Sequence, residues 1–471
     1  MIERGGVRAE RAGAGEAAVP IRPWGVLHPP PAGAGTLLAC ALAHLVGQCG
    51  NLLFQVALAR RFGLADYGEV GLAHLLFVLI CFAGDLGYST MFLREHPSEP
   101  GWNELWRTAL GHKLAATVFL YAAASGGWAL AYGMQGNGFS YLVATLPAGL
   151  FSVASLSPPL LAQGRRVVAF CVQQAPWPVA LLLWMAFADE DLPAGAIGMM
   201  VSAGFAVQLA ASLAAWRRPG DLLPRIAGGG RMLRAAFSLS AIGIAGVAHD
   251  RLTPFLVSLL APRFLPIFLL LGHGLSGVSG IAGQINRLLL PRMADGAGLR
   301  WSLGLAAAML VATALALQAS LPIMLAADGE IAGLRPDLVM PTILAWGIAT
   351  TSGFFAVEMI ERRREGPLAR IILTGIAASA ALQLVATAAG SAEGVVWARA
   401  LCALGIAMAS LRACGVSPAP AGRLLCASSF ACALAPQLPW LWPASGAMLG
   451  FALVGVAAGR PRFTRRDAPQ P

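Results

Sequence analysis

The chain has 471 residues, 57% of them hydrophobic and only 12% charged, with a mean hydropathy of +0.68. A soluble domain carries about 25% charge, so this composition excludes a set of water-covered globules, and equally a disordered, collagen-like or disulfide-stapled chain. The net charge of +10, from 33 basic and 23 acidic residues, therefore bears on the sidedness of membrane loops, and nucleic acid is excluded as a partner.

Residues 1–35 are rich in Arg, Gly, Pro and Ala and lack the apolar core of a signal peptide, which predicts a disordered cytoplasmic tail. From Thr36 onward, apolar runs of about 20 residues, long enough to cross ~30 Å of hydrocarbon as helices, alternate with short polar breaks. The predicted spans are 36–59, 68–92, 108–132, 139–161, 168–188, 193–215, 235–259, 266–290, 301–326, 339–360, 367–389, 394–413, 423–438 and 440–459. Pro436, Pro439 and Pro443 crowd the junction of the last two. The expected architecture is all-α, a polytopic membrane bundle of about fourteen transmembrane helices. An N-terminal lobe (36–216, spans 1–6) and a C-terminal lobe (235–415, spans 7–12) flank a basic cytoplasmic connector (217–234). Residues 416–471 add spans 13 and 14 and a basic tail.

Arginine distribution sets the orientation. With the N-terminus in the cytoplasm, 25 basic residues fall on cytoplasmic segments and only Arg60, Arg61, Arg263 and Arg335 on outer ones. That asymmetry predicts cytoplasmic termini. The outer loops are acidic instead, as at Asp189-Glu190-Asp191. Sliding the first two spans onto spans 7 and 8 superposes the break at Phe62-Gly63-Leu64 on Leu260-Ala261-Pro262, and Arg94 on Arg292. Two similarly oriented six-helix halves would place a substrate site between them, near mid-membrane.

Polar residues are costly in a bilayer unless they face protein or water, so their placement is informative. His44, Gln48, Asn51 and Gln55 of span 1 recur at helical spacing on a single face. Span 2 carries His74, Cys81, Asp85 and Tyr88, and span 8 carries His273, Gly277, Gly280, Gln284 and Arg287. Span 7 adds His249-Asp250-Arg251. These stripes read either as interhelical hydrogen-bonding glue or, because they occupy equivalent pairs in the two halves, as the lining of one hydrated cavity. Gly272, Ser276 and Gly280 form a small-xxx-small pattern that predicts close helix packing. Arg251, Arg287 and Arg399 lie within spans, and Arg60 stands with Arg61 at the outer mouth. Cations from both halves would suit an anionic ligand such as a diphosphate, which arginine binds bidentately. The competing reading is structural pairing with Asp85, Asp250 or Glu358.

No HExxH, GxSxG or P-loop pattern is present, the seven histidines lack metal spacing, and no loop is large enough for a soluble catalytic domain. The expectation is a non-enzyme without a cofactor, with coupling to H+, Na+ or the membrane potential left open. The eight cysteines sit in or beside apolar stretches without a CxxC pair, as thiols would in lipid.

Residues Phe54 to Gly68, with Ala59-Arg60, Gly63 and Asp66-Tyr67-Gly68, followed by Asp85-Leu86-Gly87, resemble the opening of the bacterial polysaccharide-transport flippases, the Wzx-type branch of the MATE/MOP superfamily. The second half echoes it in Asp250-Arg251-Leu252 and Pro291-Arg292-Met293. The resemblance implies two lobes alternating between inward- and outward-open states in a bacterial inner membrane. Its implied cargo is an undecaprenyl-diphosphate-linked oligosaccharide for surface polysaccharide, and its partners are membrane lipids and the polymerases and glycosyltransferases of the same pathway. A cation-coupled multidrug exporter of the same superfamily and a membrane glycan polymerase or glycosyltransferase are the alternatives.

Overall fold

The computed structural model describes residues 34–93, 97–187, 191–216, 223–225, 228–289, 335–361 and 364–415, with positions 306, 309, 313 and 316 between. Every regular element among them is an α-helix, and eight are long and apolar enough to cross a membrane. The protein is an all-α, multi-pass membrane bundle. Spans 13 and 14 of the expected fourteen, nearly all of span 9, and Arg94 and Arg292 lie outside the described residues.

Helix α1 (Ala34–Gly84) contains the first predicted span and most of the second, and the break between them falls at Gly63, whose φ of 74° and ψ of 163° interrupt the helix. That backbone region is essentially open to glycine alone, so a single residue reverses the chain where a loop was expected. The second arm ends earlier than its hydropathy suggests. At Gly84 a turn takes Leu86 and Gly87 to positive φ, and the chain restarts as the short α2 (Tyr88–Phe92). Then come α3 (Trp102–Tyr132), α4 (Asn137–Ala144), α5 (Leu146–Ala154) and α6 (Ser157–Ala162), followed by α7 (Arg166–Gln174), α8 (Pro176–Ala186) and α9 (Ala194–Trp216). Spans 4 and 5, expected as continuous helices, are segmented. Pro147, Pro158 and Pro176 each sit in the first turn of a new piece, where a missing N–H costs nothing.

The second half runs through α10 (Gly230–Leu260), α11 (Leu265–Leu289), α12 (Pro336–Glu361), α13 (Glu365–Ala388) and α14 (Ala392–Ala413). The turn between α10 and α11 falls on Ala261-Pro262, where the repeat places its break. One continuous apolar core joins the halves: Phe54, Leu58, Tyr67 and Val70 of α1 pack with Phe264, Leu265 and Leu269 beside α11 and with Leu338, Ile343 and Leu344 of α12. A second cluster, built on Trp102 stacked on Trp106 with Trp216 and Phe92 around them, fixes α2, α3 and α9 at the other end. The described part of the basic connector docks there, with the Arg107 Nε donating to the Leu223 carbonyl at 2.8 Å.

Candidate functional site

The polar face of the first arm of α1 lies against α11. An added Cβ at Gly277 would sit 3.4 Å from the Gln48 Cβ, and one at Gly280 would strike the His44 ring. The two helices run antiparallel, so the same register sets His273 opposite Asn51. Farther along, α11 meets the second arm, where Leu265 covers Gly68 and Leu269 covers Gly71. The close approach therefore uses Gly277 and Gly280. Gly272 has open space where its Cβ would stand, and Ser276 is exposed, so the packing expected of the 272–276–280 frame belongs to its last member.

Above the Gln48–Gly277 contact, polar groups from four helices converge around His74. Its Nδ1 is 2.8 Å from the Tyr141 hydroxyl of α4, and its ring centroid is 5.5 Å from that of His273 and 5.3 Å from that of Trp177 on α8. Gln55 accepts from the Tyr67 hydroxyl at 3.1 Å, and Gln48 donates to Gln174 at 3.4 Å. His74 and Gln55 are fully buried. Five buried atoms here have no hydrogen-bond partner among the described residues: Asn51 Oδ1, Gln55 Nε2, His74 Nε2, His273 Nε2 and Arg251 Nε. A buried polar atom left unmet costs about 1–3 kcal/mol, so these five call for partners from water, from a ligand or from a rearrangement of the helices. Arg251 is within electrostatic reach of both histidines.

The neighbouring ions are committed elsewhere. Arg399 Nη2 donates to Asp250 Oδ1 at 2.7 Å, tying α14 to α10. Adjacent helical residues point about 100° apart, so Arg251 leaves the helix in a different direction, with Asp250 still within its electrostatic reach. His249 turns toward α13, where its Nε2 is 2.8 Å from the Ser379 hydroxyl and 3.2 Å from Gln383 Nε2, while Thr253 donates to Gln383 at 2.9 Å. Gln284 and Arg287 lie on α11, with side chains outside the described residues. Arg60 is exposed near the Gly63 bend, and its neighbour Arg61 pairs with Asp191.

Asp85 stands apart from the cluster. It accepts from the Ser89 N–H at 2.9 Å and hydroxyl at 2.6 Å, holding the turn into α2, and it pairs with Lys113 at 2.8 Å. Lys113 is the chain's only lysine and its side chain is 2% exposed. It also lies over the Trp106 ring, 5.3 Å from the centroid. Losing one partner of a buried ion pair costs about 3–5 kcal/mol. Lys113→Met should accordingly lower the thermal unfolding temperature in detergent by several degrees, and adding Asp85→Asn should recover part of the loss.

Sequence reasoning passed over Tyr141, Trp177, Gln383 and Lys113. For Tyr141 and Trp177 the available signal was a polar-tipped aromatic on an otherwise apolar span. Gln174 is a direct partner of Gln48.

No protein-family model matches the chain, and no curated protein matches it. Among solved structures it is similar to a mutant of the MATE transporter VcmN from Vibrio cholerae, with 12% identity, 81% of this chain and 96% of that one covered, and a TM-score of 0.43. It is also similar to the lipid II flippase MurJ in an inward closed conformation, with 10% identity, 89% of this chain and 98% of that one covered, and a TM-score of 0.60. Over nearly the whole of both chains, the helical bundle described above shares its fold with MurJ.

Proposed function

We propose that the protein is a flippase that moves an undecaprenyl-diphosphate-linked oligosaccharide from the cytoplasmic to the periplasmic leaflet of a bacterial inner membrane. The lobes 36–216 and 235–415 alternate access to a site between them, and both termini lie in the cytoplasm. The observation that carries this reading is Arg251: a guanidinium whose Nε is buried and unpartnered, beside a polar cluster, with its adjacent carboxylate already bonded to Arg399. Asp250, shared with Arg399, is the carboxylate within electrostatic reach of this guanidinium, and a cation inside a membrane is expensive and is kept where it meets an anion. Likeness of fold to a flippase of a lipid-linked cargo supports the assignment. Outward passage of each negative charge gains about 2.3 kcal/mol per 100 mV of membrane potential, so the potential itself can help drive a diphosphate. The glycosyltransferases that build the cargo and the polymerase that consumes it are the functional partners.

A multidrug exporter taking cationic substrates would need carboxylates at the site. Asp250 and Asp85 are instead held by Arg399 and Lys113. The test uses the purified chain in liposomes containing a dye-labelled undecaprenyl-diphosphate oligosaccharide. The label should become accessible to a membrane-impermeant quencher well above the rate of empty liposomes. Absence of that movement, with export of a cationic dye under a pH gradient, would overturn the flippase in favour of the exporter. Lengthening of the glycan by the protein alone would overturn it in favour of a polymerase.

A further inference from the structure

The unpartnered atoms other than Arg251 Nε all belong to uncharged amide and imidazole side chains, which a diphosphate site does not require. Asn51 offers an unmet acceptor, Gln55 an unmet donor, and His74 and His273 one ring nitrogen each. Groups that both donate and accept, without net charge, match hydroxyl and acetamido groups. His74 Nδ1 is spoken for by Tyr141, which orients the ring and leaves Nε2 as the free edge. Trp177 stands against this cluster, 5.3 Å from His74 between ring centroids, with Phe205 at 5.8 Å and Phe54 at 6.5 Å from the same indole. An indole beside convergent polar groups brings apolar ring surface and directional hydrogen bonds together. That pairing fits the two faces of a pyranose.

We infer that Asn51, Gln55, His74, His273 and Trp177 form a neutral subsite for the sugar next to the diphosphate, so that the protein selects its cargo partly by that sugar. The inference rests on the flippase reading and adds a substrate specificity to it. Arg251, within electrostatic reach of both histidines, holds the charged group alongside. The α1–α11 contact covers the subsite in this structure, and the sugar enters when the two helices part.

Binding to the detergent-purified protein by calorimetry separates the two ideas. The probes are a short-chain polyprenyl diphosphate, bare or bearing one N-acetylhexosamine. The wild type should bind the glycosylated probe at least tenfold more tightly. Asn51→Ala and Trp177→Ala should bring that ratio toward one while leaving affinity for the bare probe unchanged, and Trp177→Phe should retain most of it. Arg251→Ala should weaken both probes equally and preserve the ratio. Equal wild-type affinity for the two probes, or an unaltered ratio in both Asn51→Ala and Trp177→Ala, would overturn the sugar subsite while leaving the flippase standing. A persistent sugar preference with Arg251→Ala harmless to both probes would support the subsite and remove the support for the flippase. Thermal unfolding guards against misfolded variants; should Trp177→Ala unfold, the Asn51→Ala ratio decides.

Discussion

Arg251→Ala should reduce transport of a polyprenyl-diphosphate glycan about 30-fold or more while leaving the protein folded in the membrane. Truncating one side of a buried, hydrogen-bonded charge pair costs about 2–5 kcal/mol, and 1.4 kcal/mol is about a factor of ten. Stability should change less than transport, because Arg251 Nε has no hydrogen-bond partner in the described fold to lose and Asp250 keeps Arg399. Its removal even relieves a cation in the bilayer. Arg251→Lys should restore part of the rate, since an ammonium supplies the charge but not the planar fork that grips two phosphate oxygens. Arg399 makes the informative contrast. It is bonded to Asp250, so Arg399→Ala strands a carboxylate and should lower the unfolding temperature, and Arg399→Ala with Asp250→Ala should recover it. Normal transport by a well-inserted Arg251→Ala would show that the diphosphate is held elsewhere.

The same residues show where the sequence was legible. Hydropathy located the helices because lipid imposes a length and an apolar face on each of them. The reversal at Gly63 and the break at Ala261-Pro262 could be read because glycine and proline act on their own backbone. One meeting of the stripes was readable too: polar spacing gives the face of each helix, and His74 of α1 stands 5.5 Å from His273 of α11 between ring centroids. Partner choice was not. Asp85 looked like a cavity residue until Lys113, 28 positions away on another helix, took it up. His249, Asp250 and Arg251 are consecutive, yet the first faces Ser379 and Gln383 and the second faces Arg399. The third stands unpaired at Nε beside the histidine cluster. Rotation of one helix against its neighbours decides these partners, and a single sequence carries no visible record of it. The segmentation of spans 4 and 5 was written in Pro147 and Pro176, but hydropathy treats proline in an apolar run as more of the same run.

Joining Gln48→Cys to Gly277→Cys should stop transport reversibly. In the proposed flippase the first arm of α1 belongs to one lobe and α11 to the other, and a cytoplasmic N-terminus would put the Gln48–Gly277 and His44–Gly280 contacts on the cytoplasmic side of the polar cluster. Alternating access, as proposed, would require that seam to open each time cargo loads from the inner leaflet. A Cβ at Gly277 would stand 3.4 Å from that of Gln48, close to the separation of about 3.5–4.5 Å found across disulfides, so the bond can form with little backbone movement. With the eight native cysteines replaced, a mild oxidant should cross-link the pair, detectable as protected thiols by mass. Glycan translocation should then fall to the rate of empty liposomes. Reductant should restore it, and each single cysteine variant should be insensitive to both reagents. The cross-link should also abolish binding of the bare diphosphate probe, because the path to Arg251 from that side is shut. Full cross-linking with unimpaired transport would mean that α1 and α11 move as one body and that cargo passes by another route.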